Sequence, residues 1–239
     1  MIPKIVHYCW LSKDPFPDDI NACLLTWKKH LPDYEFKLWD FSNFDIESSV
    51  WVKEAYLLQK YAFAADYIRF YALYNEGGIY LDCDVEVVKP FDDLLHLPYF
   101  IGRENTPYGI EAATIGFEKG HPLLLDLLNY YKDRKFVTDK SQLDILPLPA
   151  IMLECINRKY ILEEIPSIKK FNIDIQVISI LPIDYFSPKT WDTKELNITA
   201  NTYSIHHFAG SWKKKKSLSK RMAIWRHRFL GLFMQKYRI

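Results

Sequence analysis

The chain has 239 residues, about half of them apolar (49%), with 31 Lys and Arg against 30 Asp and Glu. This is enough apolar content for one substantial core, and a single α/β domain is the starting expectation. The four cysteines (Cys9, Cys23, Cys83, Cys155) form no Cys-x-x-Cys pair and each lies in an apolar or strand-like stretch, so neither a zinc site nor a disulfide framework is suggested, and no apolar run is long enough to span a bilayer. The near-neutral total hides an asymmetry: no Asp or Glu follows Glu195, while Lys and Arg crowd the segment from Lys213 to Arg238.

In chain order, Ile2 to Leu11 predicts a buried first strand that ends in a loop with Pro15 and Pro17. Asp18-Asp19 then opens an apolar-periodic helix through Leu24, Leu25 and Trp27. Glu35 to Trp39 alternates as a short strand, and Ile46 to Gln59 predicts a helix. From Lys60 to Glu76 the pattern is helical, with Tyr61, Ala65, Ile68 and Ala72 on one face, and it stops at Gly77-Gly78, where a left-handed C-terminal cap calls for glycine. Ile79-Tyr80-Leu81 runs as a strand into Asp82-Cys83-Asp84, and Val85 to Val88 continues as a second β-branched run. Further strands are expected over Ala112 to Phe117 and Val177 to Leu181, with a Leu-rich helix opened by Gly120-His121-Pro122. Strands alternating with helices predict an open α/β sheet flanked by helices.

Two local patterns carry chemistry. Asp82 and Asp84 are two apart, so on an extended backbone both carboxylates face one side and meet one hard cation, Mg²⁺ or Mn²⁺; taken alone, the same tripeptide is also an ordinary solvated turn. Asp66 and Arg69, three apart on a helix, share a face on which a carboxylate accepts sugar hydroxyls and a guanidinium forks onto phosphate; the plain alternative is an intrahelical ion pair.

Three separated segments occur in order: Ile2-Pro3-Lys4-Ile5-Val6-His7-Tyr8-Cys9-Trp10; Ala64-Ala65-Asp66-Tyr67-Ile68-Arg69-Phe70 with Gly77-Gly78-Ile79-Tyr80-Leu81-Asp82-Cys83-Asp84-Val85; and His206-His207-Phe208-Ala209-Gly210-Ser211-Trp212. At these residues the chain resembles the DXD-containing sugar transferases of glycosyltransferase family 32, which include yeast initiating mannosyltransferases and bacterial capsular-polysaccharide transferases. It is also similar to the catalytic core of the large clostridial glucosylating toxins. The resemblance implies a GT-A type, Rossmann-like open sheet; the four-lysine run from Lys213 to Lys216 sets the boundary between a catalytic domain over 1–212 and a basic amphipathic C-terminal helical tail over 213–239. It implies a metal-dependent, retaining hexosyltransferase that moves a sugar from a nucleotide-sugar, a UDP-sugar ahead of GDP-mannose, to a saccharide acceptor, lipid-linked among the options, in surface-polysaccharide synthesis. A toxin-like protein glycosyltransferase and a non-catalytic carbohydrate- or nucleotide-binding module are the alternatives.

The same resemblance assigns roles. Trp10 stacks on the donor base; Asp66 and Arg69 hold donor sugar and diphosphate; Asp82 and Asp84 take the ribose and the Mn²⁺ or Mg²⁺; Tyr80 lies beneath the donor; Ser211 and Trp212 close over the diphosphate. His206 or His207 completes the metal shell. Apart from the resemblance, Glu111 and Glu104 are the acceptor-side candidates by their place beside a loop after the central strand, where carboxylates are usually solvated. His7 reads as a core residue. The tail, Lys213 to Ile239, suits an anionic membrane surface, with no nucleic-acid module beside it. The thiols and the polar N-terminus give a cytoplasmic reading, with peripheral attachment at the inner face of the plasma membrane.

Overall fold

The computed structural model describes residues 1–190 and 192–210. Ser211, Trp212 and the basic tail over 213–239, with the expectations placed on them, lie outside the described residues. All the elements below fall in a compact unit, Met1–Ala209.

The protein is built on an open five-stranded sheet in the order β2-β1-β3-β6-β5. The apolar run Ile5–Cys9 forms β1. Helix α1 (Asp18–His30) crosses to β2 (Glu35–Trp39), which pairs with β1 in parallel. Two acids in the first turn of α1 and Lys28, Lys29 and His30 in its last suit the helix dipole, and Ile20, Cys23 and Trp27 bury its inner face. The Trp27 indole N–H then donates to the Val85 carbonyl at 2.7 Å, tying α1 to the segment after the Asp-x-Asp turn.

The helix expected over 46–59 is interrupted. A short 3-10 turn at Ile46–Ser48 is capped by Asp45, and α2 (Val50–Leu57) restarts with the Ser49 hydroxyl accepting from the Val52 N–H. Helix α3 (Tyr61–Glu76) delivers the chain to β3 (Gly78–Leu81), which pairs in parallel on the other side of β1. Gly77 ends α3 at φ +70 and ψ −174, so the cap is not the expected left-handed helical one but an extended, positive-φ conformation open to glycine. A Cβ there would also lie 2.8 Å from the Lys119 backbone nitrogen.

All four residues of β3 are buried, because helices cover both faces of the sheet. Tyr80 points into one core cluster; Ile79 and Leu81 point into the other. The remaining sheet strands, β5 (Tyr99–Phe100) and β6 (Thr114–Phe117), are antiparallel, with β6 beside β3. The short β4 (Val85–Val87) follows β3 in the chain and lies outside this sheet, pairing antiparallel with β9 (Ser204–His206). Helices α4 (Pro122–Tyr131) and α5 (Leu148–Lys159) pack together, and β7 (Ile161–Glu164) pairs in parallel with β8 (Val177–Ile180).

The connections from β1 to β2 and from β2 to β3 leave the sheet on opposite sides of β1. This makes the carboxyl ends of β1 and β3 a topological switch point, where open α/β sheets place their ligands. Trp10 follows β1 there and Asp82 follows β3. The Cys83 thiol donates to the Cys9 carbonyl at 3.3 Å and holds the two ends together. All four cysteines are free and buried, and among the described residues no helix is long and apolar enough to cross a membrane.

Candidate active site

Helix α3 brings Asp66 and Arg69 to its sheet-facing side, where both are buried. The Arg69 guanidinium lies 3.4 Å from Asp66 Oδ1 and 3.1 Å from Asp82 Oδ1, and its other terminal nitrogen donates to the Ala112 carbonyl. It sits face-on over the Tyr80 ring, 4.3 Å from the centroid. With 4% exposure, Arg69 does not present the open fork expected for a phosphate; it is a buried cation that ties the helix to the Asp-x-Asp turn. Tyr80 is a correction of the same kind: at 1% exposure its ring is the platform under Arg69 and offers no surface to a donor. Burial pushes the Asp66 carboxyl up to about 7, against the lowering by Arg69. Burial alone would lower the Arg69 pKa, but Asp82, Tyr80 and Asp66 raise it.

Asp82, Cys83 and Asp84 form a turn, not the extended strand assumed above: the Val85 N–H donates back to the Asp82 carbonyl at 3.0 Å. The two carboxylates nevertheless reach a common point with a third group supplied by β9. In the β4–β9 ladder Val85 stands opposite His206, and donor atoms of Asp82, Asp84 and His206 all lie within 4.8 Å of one another. Asp84 also holds the following segment, its carbonyl accepting from the His207 N–H (3.1 Å) and its Oδ2 from the Ala209 N–H (2.8 Å). Phe208 between them has φ +53, an unusual conformation for a bulky residue, and its ring lies 4.0 Å from the His206 ring.

His206 Nε2 is 3.8 Å from Asp84 Oδ1, beyond hydrogen-bond reach, while Nδ1 is 3.2 Å from Glu104 Oε1 and 3.7 Å from Glu111 Oε2. His207 faces elsewhere: its Nε2 meets Glu86 Oε2 at 2.8 Å and its Nδ1 meets Lys189 Nζ at 3.1 Å, so it does not join the cluster. Glu104 and Glu111 are not solvated loop carboxylates, being 8% and 0% exposed. Glu111 accepts from the Ala113 N–H through Oε1, and its Oε2 is buried without a hydrogen-bond partner. Burial and the neighbouring Glu111 push Glu104 up to about 8, while His206, Glu104 and the Ala113 N–H outweigh burial to hold Glu111 low. For His206, burial is outweighed by Glu111 and Glu104, which raise it.

Three consecutive residues frame this arrangement. Glu111 faces His206, the Ala112 carbonyl takes Arg69, and the Ala113 carbonyl accepts from the Asp82 N–H at 2.9 Å. Five carboxyl groups (Asp66, Asp82, Asp84, Glu104, Glu111) thus crowd around Arg69 and one imidazole. A hard oxygen and imidazole donor set with excess negative charge fits a divalent cation such as Mn²⁺ or Mg²⁺.

Trp10 is half-buried beside Phe16, with ring centroids 4.7 Å apart, and its indole N–H is taken by the Asp14 carbonyl at 2.8 Å. His7 is a satisfied core residue, its Nε2 on the Gly77 carbonyl and its Nδ1 on the Trp39 indole N–H. Beyond Glu104 a polar cleft opens, lined among others by Arg103, Asn105, Thr106, Glu164 and Ile183. The Thr106 hydroxyl is buried there without a partner. The facing of Glu104 and Glu111 toward His206 was not readable from sequence, since Glu104 and His206 are 102 positions apart.

Residues 17–101 match the model of a family described as glycosyltransferase sugar-binding region containing DXD motif. Inositol phosphoceramide mannosyltransferase 3 of Schizosaccharomyces pombe is 37% identical over 131 residues, which cover 53% of this chain and 36% of that protein. The initiation-specific alpha-1,6-mannosyltransferase of the same yeast is 26% identical over 257 residues, covering 89% of this chain and 64% of that protein. Among solved structures, the PaToxG glycosyltransferase matches 66% of this chain and 69% of its own, at 20% identity and a TM-score of 0.47. The chain spans about a third of the length of the first curated relatives it matches.

Proposed function

From a chain that belongs, through residues 17–101, to the glycosyltransferases with a DXD-containing sugar-binding region, we propose a metal-dependent hexosyltransferase that uses a nucleotide-sugar and retains anomeric configuration. The observation that carries this reading is the convergence of Asp82, Asp84 and His206 at the switch point of the sheet. Bound there, a divalent ion supplies neutralisation of the charge that builds on the departing nucleoside diphosphate. Arg69 acts one step back, holding Asp82 in place and offsetting the carboxylates around it. Among the described residues, each carboxylate near the cluster is engaged by Arg69, His206 or the cation donor set, which favours front-face displacement on the donor over attack by a protein nucleophile.

The named relatives are mannosyltransferases, and this moves GDP-mannose ahead of the UDP-sugars as donor. The acceptor enters from the cleft beside Glu104, whose mixed carboxylate, amide, hydroxyl and guanidinium lining suits a saccharide or a lipid-linked polyol. The four free, buried thiols support a reducing compartment such as the cytoplasm.

Thermal melts with GDP-mannose and a set of UDP-sugars, each with and without Mn²⁺, test the reading. A donor at about a hundred times its Kd stabilises by about 2.7 kcal/mol. The expected result is a rise in Tm with one nucleotide-sugar that requires the metal; no rise with any of them overturns the proposal.

A further inference from the structure

His206 has carboxyl groups near both ring nitrogens, and only one of the two contacts is a hydrogen bond. Glu104 Oε1 lies 3.2 Å from Nδ1, whereas Asp84 Oδ1 lies 3.8 Å from Nε2. A neutral imidazole carries one N–H and one lone pair, and the hydrogen bond made by one nitrogen decides which is which. We propose that Glu104, braced by Glu111, is a positioning residue: it fixes the proton of His206 on Nδ1 and turns the Nε2 lone pair toward Asp82 and Asp84, preparing His206 as a ligand.

The surroundings restrict the ring to this role. Phe208 packs on the imidazole with ring centroids 4.0 Å apart, and the β4–β9 ladder fixes the backbone of His206 opposite Val85. Glu111 is anchored through Oε1 to the Ala113 N–H, and its unpartnered Oε2 stands 3.7 Å from the same Nδ1, a second acceptor on the Glu104 side of the ring. No charged side chain other than these carboxylates faces Nδ1 among the described residues. Carboxylates that hold the far nitrogen of a ligating imidazole raise its basicity and limit its motion, and their loss costs about 10- to 100-fold in metal affinity. The buried orientation of Glu104 thus gives it a different role from the acceptor contact that its loop position suggested.

The inference rests on the metal reading of Asp82, Asp84 and His206 given above, and the test separates the two. Mn²⁺ alone is titrated into the full chain and free ion is followed by electron paramagnetic resonance, with circular dichroism melts confirming that each variant is folded. Glu104→Ala should weaken Mn²⁺ binding by about 10- to 100-fold. Glu104→Gln, which keeps volume and a carbonyl acceptor for the Nδ1 proton, should recover part of that loss. In the His206→Ala background the Glu104→Ala change should cost nothing further, because both act through one ligand. Unchanged Mn²⁺ affinity in both Glu104 variants, or full additivity with His206→Ala, overturns the proposal, and a raised acceptor KM in the same variants would return Glu104 to the acceptor. If Asp84→Asn also leaves Mn²⁺ binding unchanged, the metal reading itself is what fails.

Discussion

Arg69 reaches from its own helix to the Asp82-Cys83-Asp84 turn: one terminal nitrogen lies 3.4 Å from Asp66 and 3.1 Å from Asp82, thirteen positions further on. A buried ion pair adds little net stability over an apolar replacement, but removing one partner leaves the other as an uncompensated charge. Arg69→Met should therefore destabilise the fold by about 3 kcal/mol, read as a lower urea midpoint with an unchanged m-value. Arg69→Lys keeps the charge but cannot span Asp66, Asp82 and the Ala112 carbonyl together, so it should recover only part of the loss. A loss under about 0.5 kcal/mol for Arg69→Met, the level of an ordinary surface change, would remove Arg69 from its bridging role.

The two adjacent histidines should separate cleanly. His207 is engaged by Glu86 and Lys189, so His207→Ala should leave Mn²⁺ affinity within about twofold, a difference of roughly 0.4 kcal/mol. Asp84→Asn should abolish Mn²⁺-dependent donor binding and keep the far-ultraviolet circular dichroism spectrum. Calorimetric titration of the two variants side by side checks both; a large loss in His207→Ala would place the wrong imidazole in the site.

Gly77 holds a backbone conformation that L-residues rarely adopt and has no room for a side chain against Lys119. Gly77→Ala should cost about 1–3 kcal/mol of strain. Because Gly77 leads directly into β3, the same variant should lose donor-dependent stabilisation out of proportion to its fall in Tm. Equal Tm values for Gly77→Ala and wild type would show that the turn is relaxed.

His121 caps α4 with its Nδ1 accepting from the Leu123 N–H and packs edge-on against Tyr99 and Phe117. Burial lowers its pKa from 6.5 to about 4, so the folded state holds it neutral where the unfolded chain takes up a proton. Its contribution to stability is complete above pH 6.5 and is lost as the pH falls toward 4, amounting to about 2 kcal/mol by pH 5. Asn at this position still caps the helix but does not titrate, so His121→Asn should flatten the decline in urea midpoint between pH 7.5 and 5. Parallel declines in the two proteins would refute the assignment.

Much of the frame is written in local pattern. The alternation over Glu35–Trp39 gives β2 to the residue, and the apolar period that stops at Gly77 gives the end of α3. His121-Pro122 marks the start of α4, because proline fits the first helical turn. What local pattern could not hold is pairing across distance. β4 and β9 are three residues each, and nothing in Val85-Glu86-Val87 specifies Ser204-Ile205-His206 as its partner. The choice between His206 and His207 follows from that register alone. The burial of Glu104 and Glu111 was likewise hidden, since carboxylates in loops normally stay in water unless charged partners from elsewhere come to meet them.

The contact between Asp84 and Ala209 joins residues 125 positions apart. Loop closure over such a span is entropically costly and slow, and it comes after the local helices have formed. During synthesis the Asp-x-Asp turn therefore emerges long before His206, the imidazole that converges on it. A nascent chain ending short of Ser204 would carry the carboxylates of the cluster with no histidine to share a cation. Metal ions present at that stage would have a stake in the order of folding, favouring closure of the β4–β9 pair by as much as they prefer the finished site.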